Sequence, residues 1–332
     1  MKLFTGPALS QFATPRPVTN PEATDPEATA QAPATEADVA KPAAATPKAP
    51  RKPSARARNP AARKAPTIPA APDDSQVRLV PIPRLAQGGR WRVEAMRSYS
   101  GPVLYWFTRG QGRITVAGVT RGYGTHNAVF LPPGTMHGFE LGPQVFGTAV
   151  FFGRGSDVTL PDEPLHLRVR DTAPQAELSG ILDAIQRELD SDRTGADRAA
   201  RHHLGLLGVW IERQRAAAQA DEKRPDAARR LVARYTEMLE RDFASGKGVA
   251  EYAADLGVTP THLTRVCNQT CGRSALKLVQ DRVLFEARRL LTETDMPVNR
   301  IAADLGFTSP AYFTRAFQAR TGKTPTAFRK SR

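Results

Sequence analysis

The sequence predicts an α+β chain, with a small barrel of short strands ahead of an all-α C-terminal region. Between Arg92 and Phe152, short runs rich in Val, Phe, Tyr, Trp and Thr alternate with glycine turns. From Pro174 onward, apolar residues recur at spacings of three and four. Near the C-terminus a segment of the chain repeats itself. A length of 332 residues leaves room for two ordered domains and an accessory segment. Lys+Arg 47 against Asp+Glu 33 gives a net charge of +14. Two cysteines exclude a disulfide framework and point to a reducing cytoplasm. No stretch reaches the roughly 18–20 apolar residues of a membrane span, and the N-terminus lacks the apolar core of a secretory signal. The expectation is a cytoplasmic chain with no membrane partner.

Residues 1–75 hold 14 of the 28 prolines, set among Ala and Thr, with almost no bulky apolar residue after Phe12. Such a segment cannot bury enough surface to offset its conformational entropy, so a disordered Pro/Ala-rich tail is expected. Its second half is basic: Lys48, Arg51, Lys52, Arg56, Arg58, Arg63 and Lys64 follow one another with no acid between them. It reads as a solvated linker or, alternatively, as a DNA-touching arm.

Residues 76–170 form the barrel. Its strand candidates are Val103–Thr108, Arg113–Val116, Ala128–Leu131 and Gly147–Phe152, broken by Arg109-Gly110-Gln111-Gly112 and Pro132-Pro133-Gly134. Several strands at such close spacing suit a small barrel or sandwich. Residues 171–224 are a helical linker or dimerisation segment. Leu178, Ile181, Leu182, Ile185 and Leu189 make one stripe, and Leu204, Leu207, Trp210 and Ile211 another. These helices are expected to pack on each other or on a second subunit.

Residues 225–332 carry 18 basic and 11 acidic groups, half of the net positive charge. Within them Ala253-Ala254-Asp255-Leu256-Gly257 returns as Ala302-Ala303-Asp304-Leu305-Gly306. Further on, Leu263-Thr264-Arg265 matches Phe313-Thr314-Arg315, Cys267 matches Phe317, and Gly272 matches Gly322. One unit is therefore used twice. Each copy has a short helix ended by a glycine suited to left-handed backbone. Thr259-Pro260 or Ser309-Pro310 then supplies an N-cap hydroxyl and a first-turn proline for a second helix. On that helix Leu263 and Val266, or Phe313 and Phe317, face inward. Thr261, Thr264 and Arg265, or Ala311, Thr314 and Arg315, face outward. This is the pattern of a helix-turn-helix, whose second helix enters a major groove of DNA; the alternative is a set of packed helices in a protein-interaction domain. Between the copies Ser274–Leu291 reads as one helix with a stripe of Leu276, Val279, Val283, Ala287 and Leu290. Its length of about 27 Å would hold two reading helices near the ~34 Å groove repeat.

Residues 248–330 resemble the DNA-binding domain of the AraC/XylS family of transcription regulators. The second copy carries the resemblance, through Ile301-Ala302-Ala303-Asp304-Leu305-Gly306-Phe307, Pro310–Phe317 and Thr321-Gly322-Lys323-Thr324-Pro325. The resemblance implies a regulator of transcription, often an activator, bound to double-stranded promoter DNA, with RNA polymerase as a further partner. Arg265 and Arg315 are candidates for guanine, and Thr264 and Thr314 for bases or thymine methyls; the resemblance equally allows some of them to touch phosphate. Lys247, Arg273, Arg320, Lys323 and Lys330 are candidates for phosphate.

Pro132–Phe139, with His137 at its centre, resembles a conserved motif of cupin barrels. The whole chain then resembles regulators with a cupin-like sensor, dimerising helices and a double helix-turn-helix, working as a homodimer under a small-molecule effector. Arg97, Tyr105, Trp106, Arg109, Phe130 and Phe139 would suit an aromatic acid, or equally belong to barrel packing or surface. His137 is either a polar residue of that pocket or a satisfied core histidine. The rival reading is a cupin-type enzyme with an accessory nucleic-acid-binding domain; a third is a ligand-free architectural DNA binder. The enzyme needs convergent metal ligands, yet no histidine precedes His126, and the others are scattered. No metal, cofactor or catalytic residue is therefore expected. Cys267 and Cys271 lie four apart, but Cys267 fills the repeat's core position, which argues against a redox switch.

Overall fold

Alternation along one strand explains the architecture. In β2 (Val103–Arg109), Val103, Tyr105 and Phe107 turn to one face, and Leu104 and Trp106 to the other; all five are buried. The strand lies in the middle of a five-stranded antiparallel sheet, in the order β1 (Arg78–Pro81), β7 (Phe146–Phe151), β2, β5 (Asn127–Leu131), β8 (Leu165–Arg168). A three-stranded sheet of β4 (Val119–Tyr123), β3 (Gly112–Val116) and β6 (His137–Phe139) completes the barrel. The computed structural model describes residues 76–155, 157–219 and 226–331. The Pro/Ala-rich tail of residues 1–75 and its basic stretch lie outside the described residues.

Tyr105, Phe107, Ile114, Tyr123, Val129, Phe139 and Phe151 fill the barrel interior. On the outer face of the large sheet, Leu104, Trp106, Ala128, Phe130 and Val150 meet α2 (Thr172–Leu189) and α3 (Ala196–Gln219). Both predicted stripes, Leu178-Leu182-Ile185 and Leu204-Leu207-Trp210-Ile211, are spent in this contact. The helices therefore cover the sheet as well as each other.

The C-terminal helices are α4 (Ala227–Asp242), α5 (Val249–Asp255), α6 (Pro260–Cys271), α7 (Ala275–Glu293), α8 (Val298–Asp304), α9 (Pro310–Thr321) and α10 (Pro325–Lys330). They form two cores that share α7: Ala275 and Leu278 belong to the first, and Ala287, Leu290 and Leu291 to the second. Four of the five residues of the predicted stripe on α7, Val279, Val283, Ala287 and Leu290, pack into these cores, and the stripe fails only at its first residue. Leu276 is 52% exposed, whereas Arg289, expected off the stripe, is buried. Between the two cores α7 faces α4 through charges. Arg282 donates to both oxygens of Glu240, at 2.7 and 2.8 Å, and to Glu286 at 3.0 Å, and Arg289 donates to Glu286 at 3.0 Å. Burial pushes the Glu286 carboxyl up, but the flanking guanidiniums outweigh it and hold its pKa below the ordinary value.

The barrel rests on these helices. Trp91, in α1 (Trp91–Glu94), packs edge-on against Phe285 of α7 and Phe328 of α10. Arg92 pairs with Glu293 at 2.9 Å. The β3–β4 hairpin turns on Ala117 and Gly118, at φ of 46° and 71°. A Cβ on Gly118 would lie 2.1 Å from Val232 of α4, so only glycine lets the hairpin tip sit there. Met96 and Met136 also pack into the first helical core.

Candidate nucleic-acid interface

The two helix pairs are built alike. α5 and α8 run into Gly257 and Gly306, at φ of 69° and 78°. Gly306 is required twice over, since a Cβ there would also come within 2.5 Å of the Gly246 nitrogen. The hydroxyls of Thr259 and Ser309 then accept the N–H groups of His262 and Tyr312, each at 3.2 Å, and cap α6 and α9. Pro260 and Pro310 occupy the first turn, where a missing N–H costs no hydrogen bond.

Leu263, Val266 and Cys267 point inward from α6, and Phe313 and Phe317 from α9. The opposite face of α6 exposes Thr261, Arg265, Asn268 and Gln269, with Thr264 half-buried. That of α9 exposes Ala311, Tyr312, Arg315, Gln318 and Ala319, with Thr314 half-buried. All six outward positions expected from the sequence thus lie on these two faces. Asn268, Gln269, Tyr312 and Gln318 extend them. Their signal was the same helical spacing, continued one turn further. Arg265 donates to His262 Nδ1 at 3.1 Å, and Thr314 to the Pro310 carbonyl at 2.9 Å. Arg315 has no hydrogen-bonding or ionic partner among the described residues.

The phosphate candidates divide. Lys323 and Lys330 are exposed, and exposed Arg320 donates to Gln280. Arg273 is spent elsewhere: it donates to Asp281 at 2.9 Å and to the Glu94 carbonyl at 3.5 Å, tying the start of α7 to the barrel. Lys247 is paired with Asp242 and Asp255. Both side chains thus have partners within the chain, remote in sequence or across a turn.

Of the residues expected around an effector, three come together. Arg97, Tyr105 and His137 are fully buried. Arg97 donates to the Tyr99 hydroxyl at 3.1 Å, the Val93 carbonyl at 2.7 Å and the Tyr105 hydroxyl at 3.3 Å. His137 Nδ1 donates to the Thr135 carbonyl at 2.9 Å, so Nε2 accepts the Tyr105 hydroxyl, also at 2.9 Å. Burial, and then the Arg97 charge, push the His137 pKa well below its ordinary value, so the ring is neutral. Both ring nitrogens are occupied: His137 is a satisfied core histidine. Trp106 and Phe130 lie on the other face of the sheet, against the helices, because strand alternation turns them away from the interior. Arg109 is exposed beyond an irregularity at the end of β2, 5.8 Å from the Phe146 ring centroid. Phe139 packs in the barrel. Among the described residues no three His, Cys, Asp or Glu side chains converge as metal ligands, and no helix is long and apolar enough to cross a membrane.

Residues 252–331 match the family model described as a helix-turn-helix domain. The arabinose operon regulatory protein of Salmonella typhimurium is 32% identical over 81 residues, 24% of this chain and 29% of that one. The HTH-type transcriptional regulator GlxA of Rhizobium meliloti is 29% identical over 146 residues, 42% of this chain and 44% of that one. The chain thus spans less than half the length of these two relatives. Among solved structures, the C-terminal domain of AraT, a response regulator from Geobacillus stearothermophilus, is 27% identical with a TM-score of 0.31. It covers 33% of this chain and 89% of that one.

Proposed function

From the premise that residues 252–331 are an AraC-type helix-turn-helix domain, we propose that the chain is a sequence-specific DNA-binding regulator of transcription, governed by a small molecule at its N-terminal barrel. One observation carries the reading: two capped helices with exposed polar faces flank a single 19-residue rod, α7. At about 1.5 Å per residue that rod is about 28 Å long, close to the ~34 Å repeat of the major groove. In this reading Arg265 and Arg315 bond guanine edges, and Thr261, Thr264, Ala311 and Thr314 meet neighbouring bases or thymine methyls. Arg320 and Lys323 hold phosphates and fix the register. Leu206 and Val209, exposed on α3, supply an apolar patch through which two copies pair. The chain binds and is controlled; no catalytic step is assigned to it.

Footprinting of the full chain on selected DNA tests the reading. Protection should cover two successive turns on one face of the duplex, and weaken steeply with salt. Protection of a single turn, or an equal grip on any sequence, would overturn it.

A further inference from the structure

β8 is the outer strand of the large sheet and β4 the outer strand of the small one. Together with the start of α2 and the end of α3 they border a cleft of about 720 Å³. Arg121, His166, Arg168, Arg170, Asp171 and Gln214 supply its polar lining. Alternation accounts for the two on β8: Leu165 and Leu167 pack into the core against the helices, so His166 and Arg168 take the opposite face at the sheet edge. An adjoining hollow of about 510 Å³ shares Gly122, Arg168, Val169 and Arg170 and reaches Tyr123 and Asn127.

The charge here is one-sided, with three guanidiniums to one carboxylate. Arg168 and Arg170 are exposed and form no ion pair among the described residues. Asp171, the N-cap residue of α2, makes no side-chain hydrogen bond to that helix. Burial, followed by the charges of Arg121 and Arg168, pushes the His166 pKa down to about 4. At neutral pH its imidazole is uncharged and able to donate or accept. Pro174, Ala217 and Ala218 give the cleft an apolar wall.

We propose that this cleft binds a small oxyanion-bearing compound, a carboxylate or a phosphate, held by Arg168 and Arg170 beside His166 and Arg121. The volume falls within the ~300–1,000 Å³ typical of small-molecule sites. Two guanidiniums offer the forked donors that carboxylate and phosphate share. The inference rests on the sensor reading above only for what the bound anion does. It moves the effector from the packed interior of the barrel to its open edge.

The test titrates the full chain with inorganic phosphate and, separately, with benzoate, by calorimetry and by NMR of the His166 ring. Binding should raise the His166 pKa by about one unit or more, as an opposite charge nearby does. The tighter of the two anions names the class. Arg168→Gln combined with Arg170→Gln should weaken binding at least about tenfold, the loss expected when charge-assisted bonds are removed. The thermal melt should stay unchanged, since both side chains are exposed. Unchanged affinity in that double variant, or an unmoved His166, overturns the site. Band shifts on the same samples separate the two readings. Flat anion titrations with DNA binding intact remove the site alone, and anion binding with no DNA binding removes the regulator alone. A double variant that loses duplex affinity while the anions never bind assigns the patch to DNA phosphates and likewise overturns the site.

Discussion

Replacing Arg315 by alanine separates base reading from backbone contact more cleanly than any other single change. The side chain is exposed and has no partner among the described residues, so its loss should cost folding no more than ~0.5 kcal/mol. A bidentate contact to guanine is worth about 1–3 kcal/mol of discrimination. At about 1.4 kcal/mol per tenfold change, that is roughly 5–150-fold in affinity for the specific site. Affinity for scrambled duplex should hardly change, and the salt slope on the specific site should stay as it was. A phosphate contact behaves otherwise: both affinities fall together, and the slope of log K against log salt drops by about 0.9. Fluorescence anisotropy on the footprinted site and on scrambled DNA, at several salt concentrations, tells the two apart. Equal losses on both duplexes would refute the guanine assignment. Arg265→Ala is the less clean twin, because it also releases His262 from a 3.1 Å hydrogen bond.

Two further outcomes concern the scaffold that presents these helices. Arg282→Met strips both oxygens of Glu240 and leaves Glu286 to Arg289 alone, so urea unfolding should show a loss of about 3 kcal/mol, the lower end of the range for a broken buried pair. Because the folded pKa of Glu286 is depressed, its share of stability is present above the ordinary carboxyl value of ~4.3. That share is lost as pH falls through the folded pKa, so the gap between parent and variant should narrow in acid; a loss under ~1 kcal/mol at neutral pH would contradict the ion cluster. Burial pushes the Cys267 thiol up to about 12 and raises that of Cys271, whose S–H donates to the Cys267 carbonyl at 3.2 Å. Thiol reagents should therefore label the folded chain at least ~100-fold more slowly than the unfolded one, and oxidant should leave DNA binding unchanged; rapid native labelling would show that this end of α6 opens.

What could be read in the sequence was what is decided locally. The repeat was legible because a left-handed glycine, a capping hydroxyl and a first-turn proline answer to the backbone within four residues of themselves. Gly257 and Gly306, Thr259 and Ser309 all sit where that chemistry requires. The strands β1, β4, β6 and β8 were not legible. They are three to five residues long and hold polar or glycine positions such as Arg121, Gly122 and His166, so no alternating run stands out. Trp106 was misplaced because both faces of β2 are buried, which erases the two-residue period that tells inside from outside. The stripe on α7 is right at Val279, Val283, Ala287 and Leu290 but passes over the buried charges beside them for a related reason. A helix shared by two cores, with Arg282, Glu286 and Arg289 buried between them, does not show one apolar face. The partners of Arg273 were not legible either: Asp281 lies eight residues on, past the start of α7, and the Glu94 carbonyl 179 residues back.

The same remoteness hides how closely the two halves of the chain are joined. Arg97 and His137 pair across a β-bridge and face the barrel interior, where they meet Tyr105. Their immediate neighbours Met96 and Met136 pack with Val232, Tyr235 and Tyr252 in the core that carries α6. One strand pair is therefore all that separates the buried polar network of the barrel from the support of the first reading helix. Close-packed interiors have low compressibility and pass strain on to their neighbours. A change in volume on the barrel side of that bridge has to be taken up by the methionines on the other side. Met is the side chain best able to take it up, through its three rotatable bonds. Arg97 with Met96, and His137 with Met136, are thus where the barrel interior and the core that carries α6 lie back to back.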